Sequence, residues 1–549
     1  MRQLILLLLA VFAFTFTSCR DDFEFETSTG GLEFSRDTVY LDTVFTNIGS
    51  STYTLKVYNR SNKDIKIPSI KLGQGEASKY RLMVDGDAYG QGATPGKIFN
   101  NVELLAKDSL FILVETTIDY AEYANSSTTF LYTDKIEFDS GANFQDVDLV
   151  TLVQDAIFIK PNRPLPADMR ETISINGIQT SNEGHELITP EELHWTNAKP
   201  YVVYGFALVP NGKTLTIDAG TRVHFHAESG LIVDDTGIIK VNGTASSNTE
   251  ILENEVIFEG DRLEPLYNDV PGQWVGLWII SGSTENTLNH LTVKNAMFGV
   301  RAQSIVGVNE NTRPRVTINN SQIYNSSLYG IWGNHAYITG KNIVANNAGV
   351  AALLITQGGD YDFKHCTFSN YFNSYQQVPV GILDYVDLED PDNPGTVNRY
   401  ISPLNANFDN CIMYGSGNIG VSFERKGDDD SSLVFSTRFN HCLIKLVDYS
   451  NLLDGLPLYP YNGNVPAQAE YIGCVYAETS TANKPNFEDP QNCKMNILRQ
   501  PDATTPGPEG GADFAIATQV GNDIANNPRP LAPDTTPDIG AYESTDAPQ

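Results

Sequence analysis

The chain is 549 residues long, carries 67 Asp and Glu against 36 Lys and Arg for a formal net charge of −31, and is 41% hydrophobic. That length predicts at least two domains. The acidic excess excludes nucleic acid as a partner, because phosphate binding needs a basic field. Spread along the chain, the acid reads as solubility and disfavours unassisted binding to an anionic polysaccharide.

Residues 1–18 are predicted to be a signal peptide: one cation, Arg2, precedes the apolar run Leu4 to Phe16, and Thr17 and Ser18 follow. The run is too short to cross the hydrocarbon of a bilayer and ends in small residues. Phe16-Thr17-Ser18-Cys19 resembles the lipobox of bacterial lipoproteins, which implies diacylglycerol on Cys19 and a mature chain that begins there. Arg20-Asp21-Asp22-Phe23-Glu24 resembles the surface-export signal of Bacteroidetes lipoproteins. The expectation is an outer-membrane, lipid-anchored protein facing the cell surface. Lipid would be its only membrane attachment, since no later stretch is long and apolar enough to span.

A tether at 19–31 leads into a first domain at 32–160. Short alternating runs such as Thr38-Val39-Tyr40-Leu41-Asp42, Tyr53-Thr54-Leu55-Lys56-Val57-Tyr58-Asn59 and Asp146-Val147-Asp148-Leu149 lie between Asn, Gly and Ser turns. Leu110-Phe111-Ile112-Leu113-Val114 and Val150-Thr151-Leu152-Val153 are apolar at every or nearly every position. Period two with turns at this spacing predicts a small β-sandwich. Asp42 to Ile70, with Gly49 ahead of the strand that ends in Asn59, resembles the Ig-like domains of the Hydin and choice-of-anchor type, modules that space or bind. The Pro-rich run Lys160-Pro161-Asn162-Arg163-Pro164-Leu165-Pro166 closes the domain and opens a joint and cap at 161–200.

From 201 to 545 the character changes: Asn, Gly and Ser become dense, strands very short, and helical periodicity nearly vanishes. Leu291-Thr292-Val293-Lys294-Asn295, Ser321-Gln322-Ile323-Tyr324-Asn325, Asn342-Ile343-Val344-Ala345-Asn346 and Cys366-Thr367-Phe368-Ser369-Asn370 line up, and Cys411, Cys442 and Cys474 begin looser members. The steps between first positions are 30, 21, 24, 45, 31 and 32 residues. A coil of just over twenty residues, lengthened by variable loops, fits a parallel solenoid in which each coil buries its apolar face only against its neighbours. Four of the five later cysteines, Cys366, Cys411, Cys442 and Cys474, would then form a ladder of buried free thiols. Rungs about 4.8 Å apart are too wide for the ~3.8 Å Cβ separation that a disulfide prefers. Asn side chains would form similar ladders at the coil corners, and the pairing of Cys474 with Cys493 stays open.

Gly212-Lys213-Thr214-Leu215-Thr216-Ile217-Asp218-Ala219-Gly220-Thr221-Arg222-Val223-His224-Phe225, Gly230-Leu231-Ile232-Val233, Gly237-Ile238-Ile239-Lys240-Val241-Asn242-Gly243-Thr244 and Gly272-Gln273-Trp274-Val275-Gly276-Leu277-Trp278 resemble the first coils of pectate-lyase-like right-handed parallel β-helix proteins. Asn526-Asn527-Pro528-Arg529-Pro530 and Pro537-Asp538-Ile539-Gly540-Ala541-Tyr542-Glu543 resemble the closing signature of such surface and secreted proteins. The implied fold is all-β, an Ig-like sandwich followed by a right-handed parallel β-helix. Activity does not follow from that fold. The Asn-Thr-Asp, His-Gly and Arg-Ile-Lys segments of polygalacturonase-type hydrolases are missing, and no lyase set of calcium-binding carboxylates beside a base can be identified. Asp234-Asp235 reads as a turn. His224 and His226 share a side of one strand, but no third metal ligand has meaningful spacing.

The long insertion between the Cys366 and Cys411 coils is the predicted site, since long loops on a rigid scaffold tend to carry function. Tyr371, Phe372, Tyr375, Tyr385 and Tyr400 could stack on sugars or meet a partner protein, and Asp387, Glu389, Asp390 and Asp392 could hold calcium. No catalytic residue is assigned. The leading expectation is a non-catalytic lipoprotein binding glycan or an outer-membrane partner protein through loops of the β-helix. The alternatives are a polysaccharide lyase or glycoside hydrolase with an unrecognised site in the groove, and an accessory scaffold of an outer-membrane complex.

Overall fold

In the computed structural model the described residues are 24–546, except 124–126, 140–142, 164–168, 281, 283–284, 305–311, 375, 391–392, 428–432, 461–465, 467 and 501–506. The chain is 51% strand and 5% helix, and it divides into two compact units, residues 1–155 and 156–549. Among the described residues no helix is long and apolar enough to cross a membrane.

The first unit is a β-sandwich. A six-stranded sheet runs in the order Glu26–Thr27, Ile65–Leu72, Thr129–Phe138, Gln145–Gln154 and Thr38–Phe45, with Ile98–Leu104 also on Ile65–Leu72. A four-stranded sheet of Glu33–Phe34, Tyr53–Tyr58, Ser109–Thr116 and Tyr80–Val84 packs against it. Alternation places Leu55, Val57, Ile112 and Val114 of one sheet in a single core with Ile70, Ile136, Val147 and Leu149 of the other. Ser109–Thr116 is more one-sided than its composition suggests, for Phe111 is 45% exposed and lies under the Lys56 ammonium.

Among the described residues the second unit is a β-helix whose 27 hydrogen-bonded strands pair in parallel, apart from the antiparallel pair Thr172–Ile175 and Ile178–Glu186. Each coil contributes to three faces. Gly230–Val233, Trp274–Ile280, Ala296–Gln303 and the start of Tyr329–Ala348 stack on the first face. Ile238–Asn242, Asn286–Asn289 and the start of Arg315–Ser326 stack on the second. Arg222–Phe225, Val256–Gly260, Leu291–Lys294 and the end of Arg315–Ser326 stack on the third. The ladder begins at Ile157–Ile159, which pairs in parallel with Tyr201–Val203, so the last residues expected in the sandwich already belong to the solenoid, and so do Gly184 to Glu186 and His194–Trp195 of the segment read as joint and cap.

The corner between second and third faces is a column of left-handed residues: His290, Asn320, Asn342, His365, Asn410, His441 and Gly473 all have φ between 45° and 59°. Asn tolerates this conformation because its short amide can bond locally, and here the amides also bond along the stack. Asn342 donates to Asn320 Oδ1 at 2.9 Å, and Asn410 donates to His365 Nε2 at 2.8 Å. This column corrects one coil of the sequence alignment. Asn342 is a corner residue, and the rung position equivalent to Ser321 is Ile343. Since side chains alternate across a strand, the one-residue slip moves Val344 from the interior to the outer row.

The cysteine ladder is present. Cys366, Cys411 and Cys442 are buried, Cys474 is half-buried, and all are free thiols. Cys411, Cys442 and Cys474 donate to the carbonyls of Asp409, Phe408 and Phe439 at 3.3, 3.2 and 3.3 Å. Beside it Phe363, Phe408, Phe439 and Tyr471 stack at centroid spacings of 5.5, 5.2 and 4.8 Å. Cys493 lies elsewhere, free, taking bonds from the Asn346 and Asn347 amides.

The closing motifs form one clamp on the third face. Arg529 and Glu543 pair at 2.7 Å with both side chains fully buried, and the Arg529 guanidinium also reaches Asn342 Oδ1 at 3.1 Å. Ile497, Ile539 and Ala541 cover Val344, Ile412 and Leu443 of the outer row.

Candidate functional site

The predicted loop residues go to different places. Tyr371 packs edge-on against Phe487 at 6.3 Å, joining the cluster under the C-terminal segment, and burial pushes its hydroxyl pKa well up. Phe372 is half-buried, with its backbone N–H on Asn370 Oδ1. Tyr385 and Tyr400 belong to an antiparallel hairpin, Tyr385–Glu389 paired with Val397–Ile401. Within it the Asp387 carboxylate forms two hydrogen bonds with the Arg399 guanidinium, at 2.8 and 2.7 Å, and Arg399 holds its pKa below the usual range. Glu389 accepts from the Gly395 N–H at 2.9 Å and Asp390 from the Asn393 amide at 3.2 Å. These carboxylates shape the hairpin and its turn. Among the described residues no three His, Cys, Asp or Glu side chains converge on a metal position. Cys19, Tyr375 and Asp392 lie outside the described residues.

A different set of side chains comes together on the first face. Trp278, Arg301 and Trp332 occupy the same outward rung on three successive coils. The Arg301 guanidinium carbon lies 4.4 Å from the Trp278 ring and 4.3 Å from the Trp332 ring. Tyr329 adds a ring 5.2 Å from Trp332, and the Trp332 indole N–H is fixed on Thr356 Oγ1 at 2.9 Å. Stacking covers the faces of a guanidinium and leaves its in-plane N–H donors free. Among the described residues no carboxylate pairs with Arg301, and its buried Nε has no hydrogen-bond partner. Burial alone pulls the Arg301 pKa down to about 10, so it remains a cation at neutral pH.

Sequence reasoning missed this rung, although a signal was present. Gly276-Leu277-Trp278, Gly299-Val300-Arg301 and Gly330-Ile331-Trp332 repeat one pattern of glycine, inward aliphatic and outward large residue. The glycines are required where coils approach. A Cβ on Gly276 would stand 1.9 Å from the Phe298 carbonyl oxygen, and one on Gly330 2.5 Å from that of Ala352.

The third face carries a second polar cluster where the C-terminal cover ends. His224 and Glu259 are register partners, and Lys294 pairs with Glu259 at 2.7 Å. Burial lowers the His224 pKa, whereas His226, stacked on Tyr204 at 4.4 Å, is raised by its 2.7 Å bond to Asp261. Each His thus faces a carboxylate of the next coil. Beside this cluster opens a groove of about 630 Å³, lined by Glu255, Gln322, Asp269, Lys294 and the Phe487–Asp489/Lys494–Ile497 hairpin.

No family model matches the sequence, and no curated protein does. Solved structures with some similarity include a family 123 glycoside hydrolase from Clostridium perfringens, at 7% identity over 22% of this chain and 26% of that one, with a TM-score of 0.16. A GH87 α-1,3-glucanase catalytic unit from Streptomyces thermodiastaticus has 8% identity over 78% and 89%, with a TM-score of 0.23. The Agl-KA catalytic domain has 11% identity over 72% and 75%, with a TM-score of 0.21. At these TM-scores none of the three bears on the fold or the activity of this chain.

Proposed function

We propose that the protein is a surface lipoprotein, held at the outer membrane by lipid on Cys19, that binds glycan on the first face of its β-helix without breaking a bond. The observation that carries this reading is the Arg301 guanidinium, held between two indoles with no carboxylate partner among the described residues. Aromatic surface packs against the apolar faces of sugar rings, and a stacked arginine offers a planar fork that matches a carboxylate or sulfate. The favoured ligand is therefore a polysaccharide bearing acidic groups, a local exception to the repulsion expected from the net charge of −31.

The test is a glycan array and a digestion screen with protein lacking residues 1–19, beside Arg301→Ala and Trp332→Ala. Retention on a uronate- or sulfate-bearing glycan without product is expected. Loss of a charge-assisted bond should weaken it about 10- to 100-fold in Arg301→Ala. Release of reducing ends, or equal retention by Arg301→Ala, would overturn the reading.

A further inference from the structure

The third face changes chemistry where its cover stops. Val344, Ile412 and Leu443 of the outer row lie under the C-terminal segment, whereas the same row continues to Gln322, which lines an open groove, and to the buried Thr292 behind it. Glu255 stands at its edge, 6% exposed. Its Oε2 accepts from Thr292 Oγ1 at 2.8 Å and from the Gln322 amide at 3.4 Å, which leaves Oε1 to the groove. The nearby cations are engaged elsewhere. Lys294 pairs with Glu259 at 2.7 Å, and Arg222 donates to the carbonyls of Glu255 and Leu252 at 2.6 and 2.8 Å. A buried carboxyl without a counter-ion is costly as an anion.

We infer that this groove is a second saccharide site, independent of the Arg301 platform, which takes a small neutral sugar whose hydroxyls bond to Glu255 Oε1, Lys294 and the facing polar wall. The lining argues for a neutral ligand. An anion would meet Glu250, Asp269 and Glu488, and a cation would meet Lys294 and Lys494, while a polyol can use donors and acceptors of both kinds. Burial raises the Glu255 pKa, opposed by the bonds from Thr292 and Gln322 and by Arg222 and reinforced by Glu253. Glu259 is held by Lys294 and His224, and the buried Tyr324 and Tyr542 hydroxyls stay neutral, their pKa values pushed up by desolvation. With both accepted bonds on Oε2, the proton of the neutral acid belongs on Oε1, where it is a donor.

The experiment is saturation-transfer NMR and calorimetry on the protein lacking residues 1–19. The probes are glucose, galactose, mannose and their disaccharides, titrated from about pH 4, near the ordinary carboxylate range, up to about pH 9. At least one probe should bind at the lower pH and weaken about tenfold at the higher, one hydrogen bond being lost. Glu255→Gln keeps a donor that does not ionise and should bind equally at both. Glu255→Ala should lose binding of these neutral sugars and keep the acidic-glycan retention of the platform, which separates this site from the platform. No binding by folded wild-type protein, binding by Glu255→Ala equal to wild type, or a pH dependence that persists in Glu255→Gln would each overturn the inference.

Discussion

His365 illustrates how a single residue couples the solenoid to its C-terminal clamp. Its Nε2 accepts from the Asn410 amide at 2.8 Å while Nδ1 lies 3.2 Å from the Gly540 carbonyl, so the bonds need the neutral tautomer with the proton on Nδ1. Burial, and then the Arg529 charge, drive its pKa well below the ordinary value. In the unfolded chain this His takes a proton below about pH 6.5, which the folded chain refuses. Its contribution to stability is therefore full above that pH and is lost on acidification, by up to about 1.4 kcal/mol per pH unit. His365→Asn supplies the residue that other coils use at this left-handed corner. Denaturant unfolding followed from about pH 7 to about pH 5 should show a shallower decline in this variant, and an unchanged slope would place the titrating group elsewhere. The same scale governs Arg301, where the fold-loss in glycan retention reads the value of one unshared guanidinium.

Among the elements, the hairpin Tyr385–Glu389/Val397–Ile401 forms part of the insertion favoured for binding on sequence grounds, and internal bonds engage its Asp387, Arg399 and Glu389. Burial, then the Glu424 and Asp387 carboxylates, raise the Tyr385 hydroxyl pKa to about 12 against the opposing Arg399 charge, and the Arg399 and Lys426 cations lie 5.0 and 5.7 Å from its ring. An insertion that satisfies itself at the surface adds little to the solenoid beneath, since surface changes away from caps and core cost about 0.5 kcal/mol or less. Replacing residues 386–400 by a short Gly-Ser link is expected to leave the melting temperature within about 2 °C and glycan retention unchanged. Loss of retention with an intact melt would return the binding site to this hairpin.

For the whole molecule, two units with separate cores imply two cooperative transitions. The core of the second unit runs without interruption from Ile159 to Ile444, and each coil is stabilised by its neighbours. A chain of residues 156–549 should keep both its own calorimetric transition and the glycan retention of the intact protein. A single merged transition in the intact protein, or loss of retention in the shortened chain, would show that the sandwich contributes more than spacing.

The all-β class, the two-unit order, the stacked thiols and the Asn corners were legible because each follows from local period or from a repeat that must stack to bury anything. Register was less legible. Asn342 and Asn346 satisfied the alignment as well as Ile343 and Asn347 do, and only the inter-coil hydrogen bonds decide which side Val344 occupies. The platform was harder still. Trp278, Arg301 and Trp332 are 23 and 31 residues apart, and sequence spacing carries no distance once loops of variable length intervene. Strand alternation and a glycine two residues earlier set each side chain outward. Their meeting, and the engagement of the hairpin carboxylates with their own turn, are decided by parallel stacking, which brings distant residues within van der Waals reach while near ones face apart.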